Sequence, residues 1–293
     1  FARPCLRWSL GHRKIDGLHL QAGCQYSKCG QLMEFTESVI NQYLADFILP
    51  FTRVSALVMI MIGFGARTIP TRIKLFLCVA VTLAIMPAIP PTHIEQLLSF
   101  NTALLVGQQT IIGVMLGFVT VMVVNTFTLA GQIIAMQSGL GFASLVDPAS
   151  GMNVPAVGQF FLILSSLLFW VMDGHLAYLQ FVVASFDTLP IGHDYLDSTK
   201  FKEVVQWGSW MFATALSLAL APLTAMLLIN FSFGVMTRAA PQLNIFAIGF
   251  PITMMAGLLI MWLTFGNFLT HFELQWQRAL EFSCYLIDCQ AVP

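Results

Sequence analysis

The sequence predicts an all-α integral membrane protein of about six hydrophobic helical segments, and three observations carry that reading. Of the 293 residues, 57% are hydrophobic and only 9% charged, and the mean hydropathy is +0.80; soluble domains carry about 25% charged residues. Charge is also unevenly spread: no Lys or Arg occurs between Lys74 and Lys200, and no formal charge between Glu95 and Asp147. Apolar runs near 39–64, 73–90, 102–130, 154–186, 204–236 and 243–270 mostly reach the ~20 residues that span a bilayer as a helix. The net charge of -1 offers no basic surface for nucleic acid, and the aromatic residues sit inside apolar runs rather than among Lys and Arg.

Residues 1–32 differ from the rest. They hold five Lys or Arg (Arg3, Arg7, Arg13, Lys14 and Lys28) and three cysteines (Cys5, Cys24 and Cys29), with no apolar run long enough for a signal peptide. They read as a disordered or non-native extension. The functional chain reads as starting at Met33, where "MEFTESVINQYLADFIL" offers Thr36 as a helix cap before an apolar-periodic run. A membrane domain over 33–272 and a C-terminal tail over 273–293 follow.

Arg67, Arg72 and Lys74 cluster between the first two runs, so the positive-inside rule places that loop in the cytoplasm. Alternation then puts Met33 and the loop around "MPAIPPTHIEQ" outside, Gly141–Pro155 in the cytoplasm, 187–203 outside, and Arg238 in the cytoplasm as a helix-end anchor before Pro241. The third and fourth runs carry Gln108, Gln109, Asn125, Gln132, Gln137 and Gln159, which need protein or water beside them. Gly113 and Gly117 form a GxxxG pair, and Gly131 with Ala135 repeats the spacing. Such stripes bring helix backbones close, within this chain or against another subunit.

Between the third and fourth runs lies "GFASLVDPASGMNVP", Gly141–Pro155, which places glycine, aspartate, proline and asparagine between two membrane-length segments with no lysine or arginine nearby. The fourth run, about 33 residues, would reach ~50 Å as one helix against a hydrocarbon core of ~30 Å. It is predicted to break within "WVMDGHLAY". Asp173-Gly174 is turn chemistry there, and Asp173 at the bilayer centre would cost roughly 2.5–3.5 kcal/mol.

Catalytic motifs are missing: no GxSxG elbow, HExxH or Walker A loop occurs, and the six histidines are scattered. "GLGFAS" at Gly139–Ser144 lacks the last glycine of GxGxxG and any preceding strand, so it is not a phosphate cradle. The spacing of the six cysteines predicts neither disulfides nor a zinc site, and no metal or cofactor is implied. Asp173 and His175 could form a proton relay, but the turn reading of Asp173, Gly174 and His175 is favoured.

Four stretches together resemble one family: "TRIKLFLCVAVTLAIMPAIP", "GFASLVDPASGMNVPAVGQF", "DGHLAYLQFVVASFDTLPIG" and "RAAPQLNIFAIGFPI". In order and spacing they are similar to the FliR/SctT family of the flagellar and injectisome type III export apparatus. "TLPIG" and "APQLNIFAIGFP" favour the flagellar branch. The resemblance covers Met33 to about Thr270. It implies one subunit of a helical export-gate assembly in the bacterial inner membrane, built with several copies of FliP and FliQ and with FlhB, through which unfolded flagellar subunits pass. Family members are not enzymes, and their hydrophobic segments form bent hairpins within the assembly.

The resemblance also gives the Gly139–Val154 segment a role as a plug projecting into the pore. Gly139, Gly141 and Gly151 let the backbone fold in a narrow lumen, and Pro148 stiffens the turn after Asp147. Phe142, Leu145, Val146 and Met152 offer an apolar stopper, and hydrophobic constrictions gate by excluding water. Leu145 stands where the family often has a second aromatic, so Phe142 leads. The rival from another class is an ion-coupled small-solute carrier, which predicts internal repeats; no matching halves are visible. An intramembrane enzyme using Asp173 is weaker still, because a lone carboxylate lacks a second acid-base group.

Overall fold

The computed structural model describes residues 26–66, 68–89, 99–142, 144–146, 153–192, 198–239 and 245–289. Eight α-helices follow one another there: α1 (Tyr26–Ile60), α2 (Thr71–Ile85), α3 (Phe100–Gln137), α4 (Ala156–Val171), α5 (Gly174–Thr188), α6 (Ser198–Ala239), α7 (Ile245–Phe265) and α8 (Phe268–Leu286). Two three-residue strands, β1 (Ser144–Val146) and β2 (Asn153–Pro155), interrupt the helices between α3 and α4. Four helices are long and apolar enough to cross a membrane, and up to six spans result if each bent pair counts as one. That matches the hydropathy reading.

α3 is the hub. It packs on α1, α4 and α6, and 61% of its most apolar window is buried, against 22% for α6 and 17% for α2. Small residues explain the contact with α1. A Cβ on Gly113 would overlap the carbonyl oxygen of Arg53, and one on Gly117 would sit 3.1 Å from that of Leu57. The pairs Arg53–Gln109, Leu57–Gly113 and Ile60–Gly117 rise together, so the two helices run parallel, as alternating spans require. Further along, a Cβ on Gly131 would meet Phe161 at 2.7 Å and Gly158 at 3.1 Å, which joins α3 to α4. Ala135 is fully buried. All four small residues of the two stripes therefore lie buried inside this chain.

The fourth apolar run breaks where the turn chemistry stands: α4 and α5 meet at a bend of 62° around Asp173, whose φ of 53° is left-handed. Aspartate tolerates that region better than most residues. Gly174 is buried against Phe169, whose ring would lie 2.6 Å from an added Cβ. A second break was not foreseen. α7 and α8 bend by 59° at Gly266–Asn267, and α8 then continues along the core, burying Phe268, Phe272, Trp276, Ala279 and Leu286. The helix passes through the 272/273 position, so residues 273–286 pack with the membrane helices.

One expectation is corrected. Cys284 and Cys289 form a disulfide, although cysteine spacing predicted none. The reason is local: α8 ends at Leu286, Asp288 adopts φ of 54°, and the chain doubles back until the two Cα atoms lie 5.0 Å apart, within bridging distance. Residues 1–25 lie outside the described residues, and α1 already includes 26–32.

The contact of α3 with α1 yields a paired prediction. Gly113→Ala should lower stability by about 1–3 kcal/mol, because the methyl meets backbone rather than a side chain that can swing away. Gly107→Ala, one and a half turns earlier with nothing within 4 Å of its added Cβ, should be neutral or stabilising by up to about 1 kcal/mol. Thermal unfolding of the two variants in mild detergent checks the contrast.

Candidate functional site

The segment between α3 and α4 is a small antiparallel hairpin. Ser144 pairs with Pro155, Leu145 with Val154 and Val146 with Asn153. Its entry is set by Gly139, whose φ of 76° suits glycine, followed by a 3-10 turn over Leu140–Phe142. Ser138 is fully buried, and its hydroxyl donates to the carbonyls of Ile134 and Ala135. α7 braces this end of α3: Phe250 lies 3.2 Å from where a Cβ on Gly139 would be, and Gly257 presses on Ser138. The hairpin folds against the start of α4 and the end of α3.

The candidate plug residues divide accordingly. Gly139, Gly141 and the backbone of Phe142 form the entry turn, and Leu145 and Val146 form β1. Asp147, Pro148, Gly151 and Met152 lie outside the described residues. The geometry also sets the hairpin's height. α1 ends alongside Gly117, and α3 runs on for 20 residues to Gln137, about 30 Å at ~1.5 Å per residue. The hairpin and the loop that follows α1 are separated along α3 by about one bilayer thickness.

The α4–α5 break is held from two sides. Trp170 meets Phe64 edge-on at 5.2 Å and the tilted ring of His175 at 4.7 Å between centroids, and Gly63 sits against the Trp170 ring. Asp173 is exposed; its carbonyl accepts from the amides of Leu176 and Ala177. His175 Nδ1 is buried with no hydrogen-bond partner among the described residues. Among those residues no three His, Cys, Asp or Glu side chains converge.

The other end of α5 holds the polar residue that hydropathy reading passed over. Arg53, in the middle of the first span, is fully buried. Its Nε donates to Gln109 Oε1 at 2.7 Å. Nη1 donates to the Ser185 carbonyl at 2.7 Å and to Ser185 Oγ at 2.9 Å. Nη2 donates to the Leu189 carbonyl at 2.9 Å. The guanidinium also lies over the Phe186 ring, 4.2 Å from its centroid. These acceptors include the last carbonyls of α5, so the cation caps a helix C-terminus and faces the negative end of its dipole. A planar fork of donors does this better than an ammonium. The signal was present in the sequence: a lone cation inside an apolar run is a candidate site by default.

The remaining anchors scatter. Lys74 is buried and donates to the Gly65 carbonyl at 3.0 Å, closing the loop after α1. Arg72 is exposed, Arg238 is exposed in the last turn of α6, and Arg67 lies outside the described residues. The described candidate residues thus fall into separate places, and a fully buried polar cluster forms around Arg53.

Two predictions follow from these geometries. Arg53→Met should destabilise by about 3 kcal/mol or more, since several buried acceptors lose their donor at about 1–3 kcal/mol each; Ser185→Ala should cost about 1 kcal/mol, with both read from unfolding in detergent. Asp173→Asn should leave stability and membrane level unchanged because asparagine also accepts the left-handed region, whereas Asp173→Val should lose about 1–2 kcal/mol.

Comparison with known proteins bears on the whole chain. It is 37% identical over 230 residues to the flagellar biosynthetic protein FliR of Escherichia coli (strain K12), covering 78% of this chain and 88% of that protein. It is 36% identical over 228 residues to the protein of the same name from Pectobacterium carotovorum subsp. carotovorum, covering 78% and 87%. The Bacillus subtilis (strain 168) protein of that name is 25% identical over 221 residues, covering 73% and 83%. These likenesses leave the solute-carrier reading without support. Residues 44–279 match the bacterial export proteins, family 1, and the chain belongs to that family.

Proposed function

We propose that the chain is a subunit of the flagellar protein-export gate in the bacterial inner membrane, and that the hairpin between α3 and α4 is the plug of its pore. The observation that carries this reading is the hairpin itself. It sits at the end of a helix far too long for lipid: α3, at 38 residues, is about 57 Å long, nearly twice a hydrocarbon core of ~30 Å. Part of α3 must therefore lie against protein or water.

The outer faces of α6 and α7 support an assembly. Leu228, Phe231, Met255 and Trp262 are each at least 68% exposed, and such a continuous apolar surface belongs against lipid or neighbouring subunits. FliP and FliQ in several copies, together with FlhB, are the neighbours this reading names, and unfolded flagellar subunits are the cargo. The chain's part is to shape and seal a conduit rather than to catalyse a reaction. The Gly139–Val154 segment carries no Lys or Arg and one Asp, so it can rest in a dry constriction and yield without breaking an ion pair.

The test is a leak. Deleting 141–151 in cells that assemble the gate should let ions cross the inner membrane, seen as a fall in membrane potential, while FliP and FliQ still copurify with the shortened chain. Phe142→Ala should leak less than the deletion and more than the unaltered protein. An assembled complex that stays tight without the segment removes the plug from the proposal.

A further inference from the structure

A cavity of about 510 Å³ opens between α3, α6 and the α7–α8 bend. It is far from Arg53 and separate from the hairpin. Its floor is apolar, made by Phe127, Phe161 and Phe268, whose rings pack in a row at 5.0–5.3 Å between centroids. Its rim is polar and comes from α8: Asn267, His271, Gln275 and Arg278. A space of this size falls in the ~300–1,000 Å³ range of small-ligand sites.

Three features of the rim point to an anionic amphiphile. Arg278 lies over the Trp210 ring, 5.5 Å from its centroid, and among the described residues it makes no ion pair; the α8 carboxylates Glu273 and Glu281 are exposed and do not line the cavity. Gln275 is 4% exposed, and its Oε1 has no hydrogen-bond partner among the described residues, so the site lacks a hydroxyl or amide donor. Asn267 precedes α8 without a side-chain cap, so its own side chain does not take the first amides of that helix.

The Arg278 end of the cavity is also lined by a tryptophan, Trp210. The rings of Trp207 and Trp210 pack at a tilt, 4.7 Å between centroids; nearer the start of α6, Lys200 pairs with Asp288 and the Tyr285 hydroxyl donates to Glu203 Oε1. Tryptophan and arginine mark the headgroup level of a bilayer, and basic pockets between spans hold lipid headgroups.

We propose that this cavity binds an anionic phospholipid whose headgroup carries hydroxyl donors, with its phosphate on Arg278, a hydroxyl on Gln275 and the start of one acyl chain over the three phenylalanines. A soluble phosphate has no use for an aromatic floor, and a zwitterionic headgroup sets its cation beside Arg278.

Brominated acyl chains quench tryptophan, so the site reports on itself. The full chain is reconstituted in phosphatidylcholine vesicles containing increasing fractions of brominated phosphatidylglycerol or brominated phosphatidylcholine. Half-maximal quenching should come at a several-fold lower fraction with the phosphatidylglycerol. Arg278→Gln should abolish that preference, Arg278→Lys should keep most of it, and Trp210→Phe should remove the preferentially quenched component. Millimolar glycerol phosphate should not compete. Equal quenching by the two lipids, or a preference that survives Arg278→Gln, overturns the proposal. So does displacement by glycerol phosphate, which assigns the site to the phosphate alone. Loss of the preference in the complex copurified with FliP and FliQ overturns it as well, since a partner then fills the cavity.

Discussion

Lipid cannot solvate a peptide carbonyl, so every place where a membrane helix stops inside the protein must find its own partners. The fold is arranged around that constraint. α5 stops at Thr188, and the carbonyls it leaves behind are taken by Arg53 from α1, which Gln109 of α3 holds in place. One guanidinium thereby ties three helices together, each by its backbone or by a polar side chain that would otherwise be stranded. The charge itself is eased by neutral oxygen acceptors, by the end of a helix dipole and by a ring face. The bend at Asp173 is possible because both of its arms are fixed, one by Arg53 and the other by the edge-on contact of Trp170 with Phe64.

The same constraint explains why α3 is unbroken and central while other spans break. α3 has no proline inside it, and its small residues let α1 and α4 approach its backbone closely, so it is supported along its length. α6 and α7 each contain a proline, Pro222 and Pro251, and both leave much of their surface uncovered. A rigid stem and a looser outer wall are what result. The hairpin rises from the stem, where Gly257 and Phe250 of α7 press on its root.

Much of this could be read in the sequence because it rests on composition and on short-range chemistry. The uncharged interval between Glu95 and Asp147 marked the central helix, and Asp173-Gly174 marked the first bend, since turn residues in an apolar run have few other uses. The second bend carried a similar signal, Gly266-Asn267, but it stands at the end of its apolar run. There α8 looked like a polar tail: its buried positions, Phe268, Phe272, Trp276 and Ala279, recur at helical spacing between charged neighbours, and summed hydropathy dilutes that pattern. Arg53 was hidden for the opposite reason, because one cation hardly lowers the mean of a long apolar stretch. The strands of the hairpin are three residues each, too short for alternation to show, and the pairing of Cys284 with Cys289 depends on a turn at Asp288 that spacing alone does not reveal.

On the plug role proposed above, the hairpin's fitness as a seal lies in how unequally it is attached. Its root is fixed by a buried serine, a left-handed glycine and the bracing ring of Phe250, whereas its two strands share only three paired positions. So short a ladder is marginal by itself. A plug built this way would return to one place because its stem is well packed, and would open at low cost because little besides apolar contact and a few backbone bonds would be given up. Were it held by a buried ion pair, removing one partner during passage would be strongly unfavourable; were it wholly unstructured, it would not find the same position again. A short hairpin on a long, well-packed helix lies between those limits, and that balance follows from the glycine stripe of α3 on one side and the absence of Lys and Arg from the loop on the other.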